Sequence, residues 1–111
     1  YSIYQEELKG LKGVCFQKEH DEASSSFWLT CITVENDIPI LELQNKLREK
    51  GIPTRRIFTP INELPPYKGC TSLNCKNSRY IYERGICLPS STLNTEDDIH
   101  YVCEVLKELI S

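Results

Sequence analysis

The pattern of hydrophobic positions gives its strongest strand signal in residues 27–35, FWLTCITVE. A run rich in aromatic and β-branched residues with a period of two is typical of a strand. One face would carry Phe27, Leu29, Cys31 and Thr33, and the other would carry Trp28, Thr30, Ile32 and Val34. Because both faces are largely apolar, we expect a central strand covered on both sides, with Trp28 packed in the core.

The next apolar positions follow helical spacing. The stripe consists of Ile40, Leu43, Gln44 and Leu47. Asn36 or Asp37 can cap the start of this helix, and Gly51 is placed where a helix commonly stops. Glu42 and Lys46 stand four residues apart, so we expect them to form an ion pair on the exposed side.

The last helix has the clearest amphipathic pattern in the chain. Its apolar face is formed by Ile99, Val102, Cys103, Leu106, Leu109 and Ile110. Thr95 should begin it, with Asp98 as the partner in a capping box and acidic residues in the first turn.

Shorter signals complete the predicted order of elements. Residues 1–10 read as the tail of a helix, and residues 13–16 and 86–89 as brief strands. Residues 52–58, IPTRRIF, predict a second long strand, and residues 77–84 a helix that stops at Gly85. The order predicts one α/β domain over residues 1–111: a small sandwich in which helices pack on a mostly antiparallel sheet of three or four strands.

Composition narrows the classes of function. The 111 residues carry 13 basic and 16 acidic side chains, for a net charge of −3. Such a balance provides no basic surface for nucleic acid. The apolar runs fall far short of the ~20 residues of a membrane span, and no signal peptide is visible. The sequence therefore predicts a cytoplasmic protein. Because it contains no methionine and opens within a helix, we expect a fragment of a longer chain.

Six cysteines are compatible with a metal or disulfide reading. Four lie in apolar segments, where a free cysteine acts as a small core residue: Cys15, Cys31, Cys87 and Cys103. Cys70 and Cys75 form a C-x4-C pair, which does not match the C-x2-C spacing of zinc knuckles. We expect reduced thiols and no metal site, with a disulfide or a structural metal at Cys70 and Cys75 as the alternatives.

One segment departs from the pattern of an ordinary strand. In GIPTRRIFTPINELPPYKGC, residues 51–70, Arg55 and Arg56 interrupt an apolar run that prolines then end. Because the two arginines alternate along a strand, at most one should face an anionic ligand. The alternative is that both pair with helix carboxylates such as Glu42 or Glu49. No nucleophile, metalloprotease, phosphate-loop or dinucleotide motif accompanies them.

The order of three segments resembles the C-terminal domain of the DegT/DnrJ/EryC1/StrS aminotransferases. The segments are FWLTCITV, LREKGIPTRRIFTPINELPPY and RYIYERGICLPSSTLNTEDDIHYVCEVLKELI. The resemblance covers nearly the whole chain. It implies that residues 1–111 are the small domain of a longer enzyme, with residues 1–10 as the tail of an inter-domain helix.

The resemblance also implies candidate substrate-binding residues, which are Arg55, Arg56, Phe58, Asn62 and Tyr67. Arg55 takes the place of the family's usual arginine and Phe58 that of its aromatic residue. Thr59 stands where the family usually has lysine, and Asn62 where it has histidine. These two departures put the common substrate contacts in question.

The function implied by the resemblance is amination of a nucleotide-linked keto-sugar with pyridoxal phosphate as cofactor. Glutamate would be the amino donor, the large N-terminal domain and a second copy the protein partners, and amino-sugar or surface-polysaccharide biosynthesis the context. The family's cofactor lysine belongs to the large domain, so this chain should hold no catalytic or cofactor-binding residue and be inactive alone. The alternative is a freestanding α/β binding module without catalysis.

Overall fold

Four antiparallel strands form a single sheet in the order β1-β2-β4-β3. They are Val14–Phe16 (β1), Thr30–Val34 (β2), Arg55–Arg56 (β3) and Gly85–Leu88 (β4). The helices are Ser2–Glu7 (α1), Ile40–Glu49 (α2), Lys76–Arg84 (α3) and Glu96–Ile110 (α4), with short 3-10 turns at Ile61–Glu63 and Pro65–Tyr67. The computed structural model describes residues 1–70 and 74–111. The predicted α/β sandwich with a mostly antiparallel sheet is confirmed.

The core lies between one face of the sheet and helices α1, α2 and α4. Ile32 and Ile86 are direct cross-strand partners, and each is at most 1% exposed. Apolar residues of the three helices, and Leu8 directly after α1, close over them: Tyr4, Leu8, Ile40, Leu43, Leu47, Val102, Cys103, Val105, Leu106 and Ile110. Burial of this apolar surface is the main stabilising contribution, about 25 cal/mol for each Å² removed from water.

Strand β2 is central, as predicted, but shorter than the sequence indicates. It pairs with β1 on one side and β4 on the other. It begins at Thr30 because Phe27 has a φ of 48°, in the left-handed region that ends a strand. The Phe27 ring stacks instead on Tyr1, with 3.9 Å between the ring centroids.

The placement of Trp28 in the core is wrong. Trp28 precedes β2 and is 72% exposed. The second face of β2 is also less covered than expected, since Cys31 and Thr33 are only half-buried.

The long strand predicted over residues 52–58 is also wrong in extent. Only Arg55 and Arg56 pair with β4, so β3 is a two-residue edge strand. Ile52 is 2% exposed and packs in the core before the strand begins. Pro53 has no N–H with which to extend the ladder. The brief strand predicted near residue 86 is β4, which lies between β2 and β3 and is buried throughout.

Most helix boundaries follow the predicted stop and start signals, but the predicted cap of α2 is wrong. Its N-cap is Pro39 and no side chain caps it, so neither Asn36 nor Asp37 has that role. Gly51 follows α2 with a φ of 78°, which glycine adopts at low cost. Thr95 caps α4 in a reciprocal capping box with Asp98, and Glu42 and Lys46 form the expected ion pair at 2.9 Å. Gly85 ends α3 and immediately begins β4, where an added Cβ would lie 2.4 Å from the Ile81 carbonyl oxygen.

The cysteines are distributed differently from the prediction. Cys87 and Cys103 are buried and Cys31 is half-buried, but Cys15 is exposed on β1 and is not a core residue. Across residues 1–70 and 74–111, no three His, Cys, Asp or Glu side chains converge to hold a metal ion. No helix in these ranges is long and apolar enough to span a bilayer.

Candidate functional site

Arg55 projects from the sheet face opposite the apolar core. It is the cross-strand partner of Cys87 in β4, and direct partners share a face. Arg55 is exposed and lines a cavity of about 480 Å³. The cavity walls come from the segment before β2, from β3 and from the turn after β4, and include Trp28, Thr54, Pro89, Ser90 and Asn94.

The guanidinium of Arg55 has no partner within the described ranges. It makes no hydrogen bond and no ion pair there. Glu42, one of the carboxylates considered as a partner, binds Lys46 instead. A guanidinium carries five N–H donors in a planar fork that matches a carboxylate or a phosphate. The side chain is therefore available to an oxyanion.

Two polar atoms near this cavity have no hydrogen-bond partner among the residues that the structure describes. They are Thr54 Oγ1 and Asn94 Nδ2, both buried, and both residues line the cavity. Buried polar atoms in native proteins are normally hydrogen-bonded, so each unpaired one calls for an explanation. The backbone at Thr54 is held in place, because its carbonyl oxygen accepts a hydrogen bond from Gln44 Nε2 at 3.1 Å.

Arg56 serves the structure. Its Nη2 donates to the carbonyl oxygen of Tyr82 at 2.6 Å, and its guanidinium lies 5.0 Å from the centroid of the Tyr82 ring. These contacts tie β3 to the end of α3. Of the two adjacent arginines, Arg55 is thus the one available to a ligand.

The other predicted site residues are not brought together with Arg55. Phe58 is 74% exposed and Tyr67 is 46% exposed, and neither lines the Arg55 cavity. Asn62 lines a separate depression of about 470 Å³ with Glu63 and Arg79. Its Oδ1 is buried and has no partner within residues 1–70 and 74–111. The described residues place Arg55 and Asn62 in two different surface cavities.

The depression beside Asn62 is occupied by ion pairs. Arg79 binds Glu63 at 2.5 Å and Glu83 at 2.6 Å. These contacts, foremost the hydrogen bond to Glu63, raise the pKa of Arg79 above its usual range. Tyr80 donates a hydrogen bond to Glu35, which raises the pKa of the phenol. Because Arg79 is already paired with Glu63 and Glu83, its guanidinium is less available to a ligand than that of Arg55.

Sequence reasoning missed Trp28, Thr54 and Asn94 as lining residues of the Arg55 cavity. Trp28 was assigned to the core from strand alternation, although the serine-rich stretch before it is a signal for a loop. Thr54 and Asn94 are ordinary polar residues in sequence, and only the fold places them on one cavity.

The lysines of this chain do not suit a covalent cofactor. Six of the eight are exposed, and the half-buried Lys46 and Lys107 are held by Glu42 and Glu7. A lysine that forms an imine needs a desolvated pocket that lowers its pKa. The described residues therefore do not fit a pyridoxal phosphate site.

Comparison with known proteins gives relatives along the whole chain. EpsN of Bacillus subtilis (strain 168), whose name proposes a pyridoxal phosphate-dependent aminotransferase, is 30% identical over 98% of this chain. The dTDP-4-amino-4,6-dideoxy-D-glucose transaminase of Shigella dysenteriae is 28% identical over 96%. The match spans 29% of the first relative's length and 30% of the second's, so this chain corresponds to under a third of either protein.

Solved structures show the same fold. The crystal structure of DesI in the presence of its TDP-sugar product superposes with a TM-score of 0.85 at 24% identity, over 98% of this chain and 29% of DesI. A sequence model matches residues 1–107, which is nearly all of the four-stranded sheet and its helices. On that match, the chain belongs to the DegT/DnrJ/EryC1/StrS aminotransferase family.

Proposed function

We propose that this chain is the C-terminal small domain of a pyridoxal phosphate-dependent aminotransferase that aminates a nucleotide-linked keto-sugar. Family membership over residues 1–107 supports the reaction class. Two relatives are named for dTDP-linked and GDP-linked sugars, which supports the substrate class. Glutamate is the proposed amino donor, and the reaction is placed in amino-sugar or surface-polysaccharide biosynthesis in the cytoplasm.

The rest of the protein would hold the cofactor. When bound, pyridoxal phosphate supplies the electron sink for transamination. The partners of this chain would then be its own large domain and a second copy of the enzyme. By itself the chain is expected to be inactive.

The observation that carries the proposal is the unpaired guanidinium of Arg55 beside its cavity. A nucleotide sugar presents a diphosphate, and an amino-acid donor presents carboxylates. Both are oxyanions that an arginine binds through charge-assisted, often bidentate hydrogen bonds. Arg55 would bind and orient one of them, whereas Arg56 would hold β3 against α3. Phe58, Asn62 and Tyr67 remain proposed contacts that require approach of the large domain or the substrate.

Replacing Arg55 with Ala in the full-length enzyme tests this role. We expect kcat/KM for the sugar half-reaction or the donor half-reaction to fall by about 10- to 1000-fold, the loss of about 1.4–4 kcal/mol of charge-assisted contact. The two half-reactions, measured separately, identify which oxyanion Arg55 binds. Arg48→Ala is the matched control, because Arg48 is exposed on α2 and its recorded contact is with Asn45.

The thermal midpoint of the same variant distinguishes binding from folding. Because Arg55 is exposed, its loss should change stability by no more than about 0.5 kcal/mol. If Arg55→Ala changes neither kcat/KM nor the thermal midpoint, Arg55 does not bind the substrate or the donor. An inert full-length protein in both half-reactions, even before mutation, would instead favour the binding-module alternative.

A further inference from the structure

Two thiols face each other across the middle of the sheet. Cys31 of β2 and Cys87 of β4 are direct partners in the strand register, and their Sγ atoms are 3.5 Å apart. Cys31 is half-buried and Cys87 is 4% exposed. The proposed aminotransferase function assigns no role to either thiol, although Cys87 lines the Arg55 cavity.

The backbone hydrogen bonds define the kind of cross-strand pair. Gln17 N donates to the Cys31 carbonyl oxygen at 3.3 Å, and Cys31 N donates to Gln17 Oε1 at 2.8 Å. Both backbone polar groups of Cys31 therefore point away from β4. Such a non-hydrogen-bonded antiparallel pair has Cα atoms about 4.5 Å apart and its side chains close together.

That spacing suits a covalent bridge. A disulfide spans Cα separations of about 4.4–6.8 Å, with the sulfur atoms about 2 Å apart. The usual separation of such a pair falls in this range, and the Sγ atoms, 3.5 Å apart, need to approach by only about 1.5 Å. Small rotations about the side-chain bonds supply this without moving the backbone.

Other cysteines do not share this arrangement. Cys15 lies opposite Thr33 in the β1–β2 register, so its cross-strand partner is not a thiol. Cys103 is fully buried on α4, within the core on the other side of the sheet. Cys70 lies in the loop after the second 3-10 turn and is exposed. Among Cys15, Cys31, Cys70, Cys87 and Cys103, the geometry thus favours one defined pair, Cys31 with Cys87.

The two thiols border different cavities. Cys87 lines the Arg55 cavity but is only 4% exposed, whereas Cys31 is half-buried and is the more accessible thiol. Cys31 lines a groove of about 280 Å³ with Phe16, Lys18, Ile57 and Tyr80 among its walls. Desolvation, followed by the contact with Cys87, raises the pKa of the Cys31 thiol to about 12. The thiolate is the reactive form, so attack should be slow at neutral pH and faster in alkaline solution.

We propose that Cys31 and Cys87 form a modification site that a low-molecular-weight disulfide of the glutathione type converts reversibly into a cross-strand disulfide. Cys31 loses its proton, and its thiolate attacks one sulfur of the oxidant, whose S–S bond breaks and releases one thiol. Cys87 then loses its proton and attacks Cys31 Sγ in the mixed disulfide, which releases the second thiol. Two protein thiols are oxidised by two electrons while the oxidant is reduced to two thiols.

The test is a peptide map of the full-length protein after incubation with oxidised glutathione at about pH 8.5, near the usual thiol pKa. Trypsin and a glutamyl endopeptidase separate residues 23–35, which carry Cys31, from residues 85–96 and 97–104, which carry Cys87 and Cys103. We expect 23–35 linked to 85–96, lighter by two hydrogens than the separate peptides. Dithiothreitol should restore both peptides, and the oxidised protein should melt several degrees higher.

Two variants make the result specific. Cys103→Ser should leave the linked peptide unchanged, because Cys103 lies on the other side of the sheet. Cys31→Ser should abolish it and leave Cys87 available to alkylation after denaturation. If this variant does not fold, the map of the unmodified sequence decides alone. The proposal is overturned if Cys31 and Cys87 stay reduced while Cys15 or Cys70 is modified, or if the link forms only in denaturant.

Discussion

Arg55 and Arg56 show how one residue type takes two roles through strand geometry. Successive side chains of a strand point to opposite faces. Arg56 therefore reaches Tyr82 and is held by its carbonyl and ring, whereas Arg55 faces a cavity with no protein partner among the described residues.

Trp28 gives a prediction about stability at the same scale. Because it is 72% exposed, Trp28→Ala in the isolated domain should change the free energy of unfolding by no more than about 0.5 kcal/mol. The measurement is urea unfolding followed by circular dichroism.

Tyr4→Ala is the matched control, since Tyr4 is a large aromatic residue that is 1% exposed and donates a hydrogen bond to the Pro89 carbonyl oxygen. Its loss should cost about 3–5 kcal/mol, as for other buried aromatic residues. A loss of stability of that size for Trp28→Ala would show that Trp28 is buried, which would contradict its exposed position.

Sequence could single out Arg55 because a cation in an apolar run is unusual. It could not place Trp28, because alternation continues through residues 27–35 while the strand starts at Thr30. The backbone of Phe27 is left-handed, and its ring stacks on Tyr1. Tyr1 and Phe27 are 26 positions apart, so their contact cannot be predicted from a local sequence pattern.

The start of α4 gives a prediction at the scale of elements. Thr95 Oγ1 accepts a hydrogen bond from Asp98 N at 3.2 Å, and Thr95 N donates to Asp98 Oδ2 at 2.8 Å. Thr95→Ala should therefore cost about 1 kcal/mol in the free energy of unfolding. Thr92→Ala is the control, since Thr92 is exposed and precedes the helix. Equal effects of the two changes in thermal unfolding would show that the Thr95 cap does not stabilise this helix.

An ion pair joins the first and last helices. Glu7 Oε2 accepts a hydrogen bond from Lys107 Nζ at 2.6 Å, and His100 Nδ1 lies 3.2 Å from Glu7 Oε1. The hydrogen bond to Lys107 is the main reason that the pKa of Glu7 is lowered in the folded chain. A carboxyl group with a lowered folded-state pKa adds stability above its unfolded-state pKa and loses it as the pH falls through the folded-state value.

Glu7→Gln should accordingly melt below the unchanged domain at pH 7. The gap should narrow as the pH falls below the ordinary carboxyl range, about 4.3, and close once Glu7 is protonated. Glu6→Gln is the control, because Glu6 is exposed on the same helix. A gap that stays constant from neutral to acid pH would show that the effect is not electrostatic.

Helices were predictable in extent, whereas strands were predictable mainly in position. Caps and stop signals such as Thr95 and Gly51 are local, so they can be read along the chain. The length of a strand depends on its neighbours. In β3 only Arg55 and Arg56 pair with β4. The apolar character of residues 52–58 does not show where this pairing starts or stops.

For the whole molecule, we predict that the isolated domain forms no stoichiometric complex with pyridoxal phosphate. The described lysines are exposed or paired with carboxylates, so none is prepared to form an imine. After gel filtration of the mixture, a protein-bound absorbance band near roughly 400–430 nm, where protonated imines of the cofactor absorb, should not exceed that of a denatured sample. An absorbance band retained at one cofactor per chain would show that this domain itself binds the cofactor.

The fold and the family of the whole molecule could be predicted from the sequence, but the relative positions of the site residues could not. Arg55 and Asn62 are seven residues apart, yet they line separate cavities. Arg55 lies in β3, whereas Asn62 lies in the 3-10 turn Ile61–Glu63. A sequence motif cannot show that these two elements border different cavities. In the proposed enzyme, the remaining parts of the site would come from outside this chain, which matches only 29% and 30% of the two relatives' lengths.

The exposed position of Trp28 also gives the domain an intrinsic optical label. It is the sole tryptophan in the 111 residues, and it stands on the wall of the Arg55 cavity. Indole emission moves to shorter wavelength when water is replaced by apolar protein. A docked protein surface over this cavity would therefore shift the emission to the blue, whereas a small hydrated anion on Arg55 would leave most of the ring in water. The two kinds of occupant can be told apart in a cuvette without attaching a dye.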